Sequence, residues 1–154
     1  MIEYKEVSLA EIPGLIKISL DIFDPVDGDK NSHHQIQKWK QHLDEGGIVL
    51  GLYVDGKLVG YNFGYPYSPD EWHYWMGGIL EEYRGNGYGR SLLEKQEEFA
   101  RNKGYTSVSV NTYEHMWPVQ FSFLQRHGYK VYKTEDQVWD DGQKVVKSFL
   151  RKEL

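Results

Sequence analysis

The chain has 154 residues, with 18 Lys plus Arg against 23 Asp plus Glu, so its formal net charge is −5. This length predicts one domain over residues 1–154, and the negative charge argues against nucleic acid as a partner, because neutralising phosphates needs a basic surface. The absence of cysteine excludes disulfide scaffolds and thiol catalysis and fits a cytoplasmic location. No apolar run is long enough to span a membrane, so no membrane partner is expected. The first residues mix acids and bases without an apolar stretch, so no signal peptide is expected.

The first half of the chain reads as strands and two helices. Asp55-Gly56 is a strong hairpin signal, because a type I′ turn needs two positive φ angles. The predicted elements are a strand over 2–7, a helix capped by Ser8 and Glu11, a second helix from Asn31 or Ser32 to Gly46, and strands over 48–54, 57–65 and 72–80.

The second half contains the clearest amphipathic helix, over residues 88–103, with Glu97 and Arg101 spaced as an i,i+4 ion pair. The remaining predicted elements are a strand over 106–112, a helix over 118–127 and a final hairpin of strands 129–137 and 144–150. The order β-αα-βββ-α-β-α-ββ predicts a mixed α/β protein.

A glycine-rich segment, Arg84-Gly85-Asn86-Gly87-Tyr88-Gly89-Arg90, separates a predicted strand from the clearest helix. Its alternating glycines let successive backbone N–H groups face a ligand with no Cβ in the way. The helix N-terminus adds partial positive charge, and the two arginines can add charge-assisted hydrogen bonds. The segment is therefore a candidate pyrophosphate seat; the alternative is a tight turn without a ligand.

Two other phosphate-binding patterns are not matched. A Walker A loop needs a lysine before Ser or Thr, whereas this chain has Gly89-Arg90-Ser91. A dinucleotide fingerprint has the spacing G-x-G-x-x-G, whereas this segment has G-x-G-x-G and follows no early β-α-β unit. A nucleotide-phosphate binder is therefore the least favoured interpretation.

The segment resembles motif A of the GNAT superfamily of N-acetyltransferases, Arg/Gln-x-x-Gly-x-Gly/Ala, which residues 84–89 match at every position. The approach over residues 77–83 and the later helix ending in Gly128-Tyr129 are similar to the family's flanking segments. The resemblance implies an α/β fold with a central mixed, largely antiparallel sheet of about six or seven strands, flanked by about four helices.

The resemblance also implies acetyl-CoA as co-substrate, lying in a V-shaped gap between the strand that ends at Leu80 and the strand 106–112. Pantetheine would pair with backbone near residues 77–79, and the pyrophosphate would lie on the glycine-rich segment. Asn111 has the alternative role of a strand-end cap. The implied cofactor-binding residues are Gly78, Ile79, Leu80, Arg84, Gly85, Asn86, Gly87, Tyr88, Gly89, Arg90 and Asn111.

Attack by an amine needs a base or a water chain, because the amine is mostly ammonium at neutral pH. The resemblance implies an oxyanion donor at the backbone N–H near Ile79. It also favours His73 as catalytic base, six residues before Ile79, and the ordinary pKa of histidine suits that role. Glu71 would share the same strand face, as an alternative or a relay. The alternative for each of these two residues is a polar side chain at the end of a strand, with no catalytic role.

The family's usual general acid is a Tyr five residues before the Gly of its Gly-Phe pair. Phe123 stands at that position here, and its neighbour Leu124 cannot donate a proton either. Tyr113, Tyr129 and solvent are the remaining candidate donors.

The sequence therefore predicts an acetyl-CoA-dependent N-acetyltransferase that acts directly on a primary amine of a small molecule or a peptide. The alternative is a GNAT-fold acyl-CoA-binding or regulatory module with little transfer activity. His33, His34 and His42 lack metal-site spacing, so no metal is expected. The edge of the last hairpin can pair two chains, which makes a homodimer possible.

Acidic and aromatic residues near the approach to the gap suit a cationic acceptor. The alternative for the acidic residues is a solvated loop. The candidate acceptor-site residues are Asp21, Asp24, Asp27 and Asp29 with Tyr65, Tyr67, Trp72, Tyr74 and Trp75.

Overall fold

The computed structural model describes residues 1–23 and 35–154, which form a seven-stranded sheet and four α-helices. The predicted fold class and element order are confirmed, whereas the predicted start of the second helix at Asn31 or Ser32 lies outside the described residues. The strands are β1 Ile2–Glu6, β2 Ile48–Val54, β3 Lys57–Pro66, β4 Glu71–Ile79, β5 Ser107–Thr112, β6 Lys130–Val138 and β7 Lys144–Glu153. The helices are α1 Ile12–Phe23, α2 Ile36–Asp44, α3 Tyr88–Asn102 and α4 Pro118–Arg126.

Two local signals in the sequence form as predicted. The backbone N–H of Ser8 donates to Glu11 Oε1 at 3.2 Å, which closes a capping box on a short 3-10 turn before α1. Asp55 and Gly56 have φ of 50° and 81°, so both central residues of the β2–β3 hairpin are left-handed.

The strands follow the order β1-β2-β3-β4-β5-β7-β6, and only the β4–β5 pair is parallel. Helices cover both faces of this sheet. Alternate residues of β2 show the division, because Ile48 belongs to the core under α3 and α4 whereas Val49 belongs to the core under α1 and α2. Both cores contain large aromatic side chains, including the fully buried Trp72 and Trp39.

β4 pairs with β3 from Trp72 to Ile79, with the exception of Trp75, but pairs with β5 over only part of its length. It pairs with β5 from Glu71 to Tyr74, opposite residues 107–110, and β5 does not pair with the rest of it. On the β3 side the register shifts after Tyr74, so that Trp75 is an extra residue between the pairs of Tyr74 and Met76. Such a bulge bends the strand and increases its twist. The sheet therefore splits between β4 and β5, where the sequence predicts a V-shaped gap.

The predicted ion pair between Glu97 and Arg101 is wrong. Glu97 is only 5% exposed, accepts a hydrogen bond from the Tyr129 hydroxyl at 2.7 Å and pairs with Lys152 Nζ at 3.0 Å. The carboxylate faces the sheet, so tertiary partners replace the local one.

β6 forms one edge of the sheet, and Tyr132 and Val138 on it are 47% and 70% exposed. Pairing of two chains through this edge stays a prediction. None of the helices in the described parts of the chain is long and apolar enough to cross a membrane.

Candidate active site

The open half of β4, Trp75–Ile79, does not pair with β5 and presents backbone groups to the gap. The N–H of Leu80 donates to Val59 O at 2.9 Å, so this residue points to β3. Because antiparallel pairs alternate along a strand, Gly77 and Ile79 direct their N–H and C=O groups away from β3. Arg84 Nε donates to Ile79 O at 2.8 Å. The other outward groups, the N–H and C=O of Gly77 and the N–H of Ile79, can pair with an extended ligand.

The loop after β4 needs glycine at two positions. Gly85 and Gly87 have φ of 82° and 77°, which L side chains rarely adopt. A Cβ at either position would meet no neighbouring atom within 4 Å, so the requirement comes from the backbone alone. Asn86 Nδ2 donates to Tyr83 O at 3.2 Å and closes the loop.

The N-terminus of α3 is open. Gly87 is its N-cap and provides no side chain to accept from the first N–H groups, and the first turn contains no acidic residue. The partial positive charge of the helix end therefore faces outward beside the glycine loop. Arg90 forms an exposed ion pair with Glu94 at 2.8 Å, so it adds charge nearby without being fixed on the loop.

α4 approaches this helix end through Phe123. A Cβ built on Gly89 would lie 3.8 Å from Ile79 Cδ1 and 4.0 Å from Phe123 Cζ, so these three residues meet at the gap. The residue at the family's general-acid position is thus an aromatic hydrocarbon beside the gap. The two alternative tyrosines are engaged elsewhere: the Tyr113 hydroxyl donates to Gln137 and the Tyr129 hydroxyl to Glu97.

Asn111 lies on β5 one residue beyond Val110, the last residue that pairs with β4. It is partly exposed, and its position follows directly from the split. Of the predicted cofactor residues, Ile79, the loop 84–90 and Asn111 therefore lie where β4 and β5 part, whereas the backbone groups of Gly78 and Leu80 point to β3.

His73 lies in the closed half of β4, Glu71–Tyr74, which pairs with β5. Its side chain is on the face covered by α1 and α2. Its side chain is buried, its Nδ1 hydrogen-bonds Ser109 Oγ at 2.8 Å, and the Tyr65 and Tyr67 rings lie 5.3 Å and 5.6 Å from its ring. Burial, helped by the charges of Lys147 and His42, lowers the pKa of His73 to about 4. The imidazole is therefore neutral at physiological pH but much less basic than the sequence suggests.

Glu71 shares this face, as predicted, but lies at the closed end of the β4–β5 pair. It is 8% exposed, forms an ion pair with Arg151 Nε at 2.5 Å and accepts a hydrogen bond from Ser107 Oγ at 3.3 Å. Its carboxylate therefore joins three strands, β4, β5 and β7.

The predicted acceptor residues divide between the two faces. Tyr65, Tyr67 and Trp75 lie on the His73 face, where Trp75 packs 4.5 Å from His42. Trp72 and Tyr74 point to the opposite face, into the core under α3 and α4, so their assignment to the acceptor wall is wrong. Asp21 is exposed on α1, whereas Asp24, Asp27 and Asp29 lie outside the described residues.

Within residues 1–23 and 35–154, no three His, Cys, Asp or Glu side chains come together as a metal site. His42 instead stacks on Tyr65 at 3.9 Å and contacts Glu45 at 3.3 Å. His33 and His34 lie outside the described residues.

Sequence reasoning missed Ser109 and Arg151, the partners of His73 and Glu71. No local signal marks them, because each belongs to a strand remote in sequence. It also missed the bulge at Trp75, since a bulge breaks the two-residue period that identifies a strand.

The acetyltransferase (GNAT) family matches residues 12–129 of this chain. A comparison with curated proteins finds no significant match.

Solved structures with high structural similarity cover nearly the whole chain. A GNAT family acetyltransferase from Elizabethkingia anophelis with acetyl-CoA bound is 19% identical, with a TM-score of 0.75 over 99% of this chain and 98% of that chain. The PaiA N-acetyltransferase from Thermoplasma acidophilum in complex with coenzyme A is 16% identical, with a TM-score of 0.79 over 100% and 99%. A ribosomal-protein-alanine N-acetyltransferase from Brucella melitensis is 22% identical, with a TM-score of 0.75 over 99% of both chains.

Proposed function

Because this chain belongs to the GNAT acetyltransferase family, we propose that it is a single-domain N-acetyltransferase that moves the acetyl group of acetyl-CoA directly to a primary amine. The observation that carries the proposal is the split between β4 and β5, which opens beside an uncapped helix N-terminus. The proposal includes a cytoplasmic location, consistent with a chain that contains no cysteine.

The gap suits acetyl-CoA in two respects. The loop at Gly85 and Gly87 and the first N–H groups of α3 form an anion seat for the pyrophosphate, with Arg84 and Arg90 close by. The outward backbone groups of Gly77 and Ile79 can pair with an extended pantetheine arm, as an added strand would. No metal takes part in this proposal.

The chemistry asks for an oxyanion donor and a proton acceptor. The N–H groups of Gly77 and Ile79 are the candidate oxyanion donors, since they face the gap. The amine attacks as the neutral free base, so the ammonium first gives one proton to solvent water. The nitrogen becomes strongly acidic once it bonds to the thioester carbon. A weak base is then sufficient, and we keep His73 in that role, acting on the nitrogen after attack or through water. We assign Glu71 a structural role in joining the strands, because its carboxylate is already ion-paired with Arg151.

Aromatic rings on the His73 face suit an acceptor that carries a positive charge before it reacts. Tyr65 and Trp75 are partly exposed there and Tyr67 is exposed. Thiol release measured with amines and with short peptides distinguishes a small amine from a peptide N-terminus as the acceptor.

The test combines binding and turnover. The melting temperature is measured alone and with acetyl-CoA, CoA, ATP or NAD, because a ligand at 100 times its Kd adds about 2.7 kcal/mol of stability. Release of CoA thiol is then followed with diamines, aromatic amines and short peptides with free N-termini.

A shift with acetyl-CoA and thiol release with one amine class supports the proposal. A shift without thiol release from any amine favours the alternative, a GNAT-fold binding or regulatory module. No shift with acetyl-CoA for folded protein overturns both.

A further inference from the structure

Tyr74 is the last residue of β4 that pairs with β5, and its side chain packs on the core under α3 and α4. The bulge at Trp75 has a direct consequence for it. With one extra residue in the strand, Tyr74 and Gly77 point to the same face, although they are three residues apart.

Because residue 77 is glycine, there is space beside it for the Tyr74 phenol. A Cβ built on Gly77 would lie 2.3 Å from the Tyr74 hydroxyl oxygen, which is closer than any real contact. The ring of Tyr74 therefore extends along β4 toward its C-terminal end. Its hydroxyl lies against Gly77, in the half of β4 that does not pair with β5.

The hydroxyl has no hydrogen-bond partner among the described residues. Its neighbours Tyr61 and Tyr129 are each satisfied, by Ser19 and by Glu97. An unpaired hydroxyl in a largely buried place costs stability, so a function for the group would explain its presence.

We propose that the Tyr74 hydroxyl donates a hydrogen bond to the CoA sulfur as the thioester bond breaks. This rests on the proposed function. An arm that leaves a pyrophosphate on Gly85–Gly89 and runs back along β4 from Ile79 to Tyr74 covers about 16 Å of strand. The sulfur end of that arm then reaches the region of this hydroxyl.

The amine nitrogen bonds to the acyl carbon, the C–S bond breaks with its electron pair going to sulfur, and the nitrogen gives its proton to the base or to solvent. The thiolate is stabilised by the O–H···S hydrogen bond and takes its proton from solvent on release.

Burial raises the pKa of Tyr74, whereas a thiol has an ordinary pKa of about 8.5. The phenol therefore stays protonated beside the thiolate and acts as a hydrogen-bond donor. It stabilises the leaving sulfur by a hydrogen bond, in a chain where Phe123 has no proton to donate.

The test variant is Tyr74→Phe, which removes only the hydroxyl and breaks no hydrogen bond to a described residue. We expect unchanged acetyl-CoA binding in the thermal-shift assay, an unchanged KM for the amine and a kcat lower by about 10²-fold. A kcat within about twofold of the wild-type value overturns the proposal.

A second measurement is independent of turnover. The pKa of the thiol of bound CoA is followed by the ultraviolet absorbance of the thiolate. We expect it to be about one unit lower on the wild-type protein than on Tyr74→Phe, because the hydrogen bond favours the thiolate. Equal values overturn the proposal.

Tyr129→Phe is the matched control, since it removes a hydroxyl from the same core that donates to Glu97. We expect a lower melting temperature with kcat and thiol pKa unchanged. If wild-type protein binds CoA but acetylates no amine, the proposed function fails while the thiol titration still decides the role of Tyr74. If it binds no CoA, both are overturned.

Discussion

The two halves of β4 differ in almost every physical respect. From Glu71 to Tyr74 the strand pairs with β5, and from Trp72 it also pairs with β3. This half has large or charged side chains, and the polar groups of Glu71 and His73 bond to β5 or β7. From Trp75 to Ile79 the strand is paired only with β3 and includes two consecutive glycines. The first half resembles the interior of a sheet, and the second resembles an edge.

The difference teaches how one strand can be both anchor and binding surface. Side-chain hydrogen bonds in the closed half hold β4 and β5 together up to the point where they part. The open half keeps its backbone groups for a ligand, and small residues there leave room for one. Apart from the catalytic roles proposed for His73 and Tyr74, changes in the closed half should therefore act on stability, and changes in or after the open half should act on binding.

The largest effect on ligand binding is expected from Gly87→Val, in the loop that follows the open half. Valine at φ of 77° is strained, so the loop must change its backbone and the N–H groups of α3 lose their alignment. We expect the thermal shift with acetyl-CoA, about 2.7 kcal/mol at 100 times the Kd, to disappear.

Gly142→Val is the matched control for backbone strain. Gly142 has φ of 84° and open space around its Cβ position, but it lies in the β6–β7 turn. We expect this variant to lose a similar amount of stability and to keep the acetyl-CoA shift. A normal shift in Gly87→Val would remove the loop from the proposed site.

The second effect concerns His73 in the closed half. Its pKa of about 4 lies below the ordinary 6.5, so the unfolded chain binds a proton more readily than the folded one. The stability present above pH 6.5 is therefore lost as the pH falls toward 4, by about 3 kcal/mol in total at 1.36 kcal/mol per unit.

The measurement is the free energy of unfolding of wild type and His73→Gln from pH 7 to pH 4. We expect the difference between them to change through this window. His115→Gln, which removes an exposed imidazole, is the control. A constant difference for His73→Gln contradicts the assigned burial effect.

The smallest effect is expected from Glu71→Gln. Arg151 is 39% exposed and can recover water when its partner loses charge, so we expect a loss of about 1–2 kcal/mol of stability. Glu94→Gln, which breaks the exposed pair with Arg90, should cost less than about 0.5 kcal/mol. Urea unfolding of both variants tests this, and equal losses would mean that the Glu71 pair is no more than a surface contact.

Local signals predicted most of the fold because their causes lie within a few residues. The capping box at Ser8, the hairpin at Asp55-Gly56 and the left-handed glycines of the loop each depend on neighbours in the chain. Predictions that needed a distant partner were less successful. Glu97 pairs with Lys152 rather than Arg101, and burial changes the pKa of His73.

The sequence by itself determined the order of elements, the glycine-rich loop before α3 and the missing tyrosine at Phe123. These are properties of composition and spacing, which short-range sterics and hydrogen bonding convert into structure. Only the tertiary structure decided where the pairing of β4 with β5 ends and that a bulge at Trp75 places Tyr74 on the same face as Gly77. It also decided that Glu71 forms an ion pair with Arg151. Register and burial depend on contacts between remote strands, and a one-residue shift in pairing changes the face of every side chain that follows.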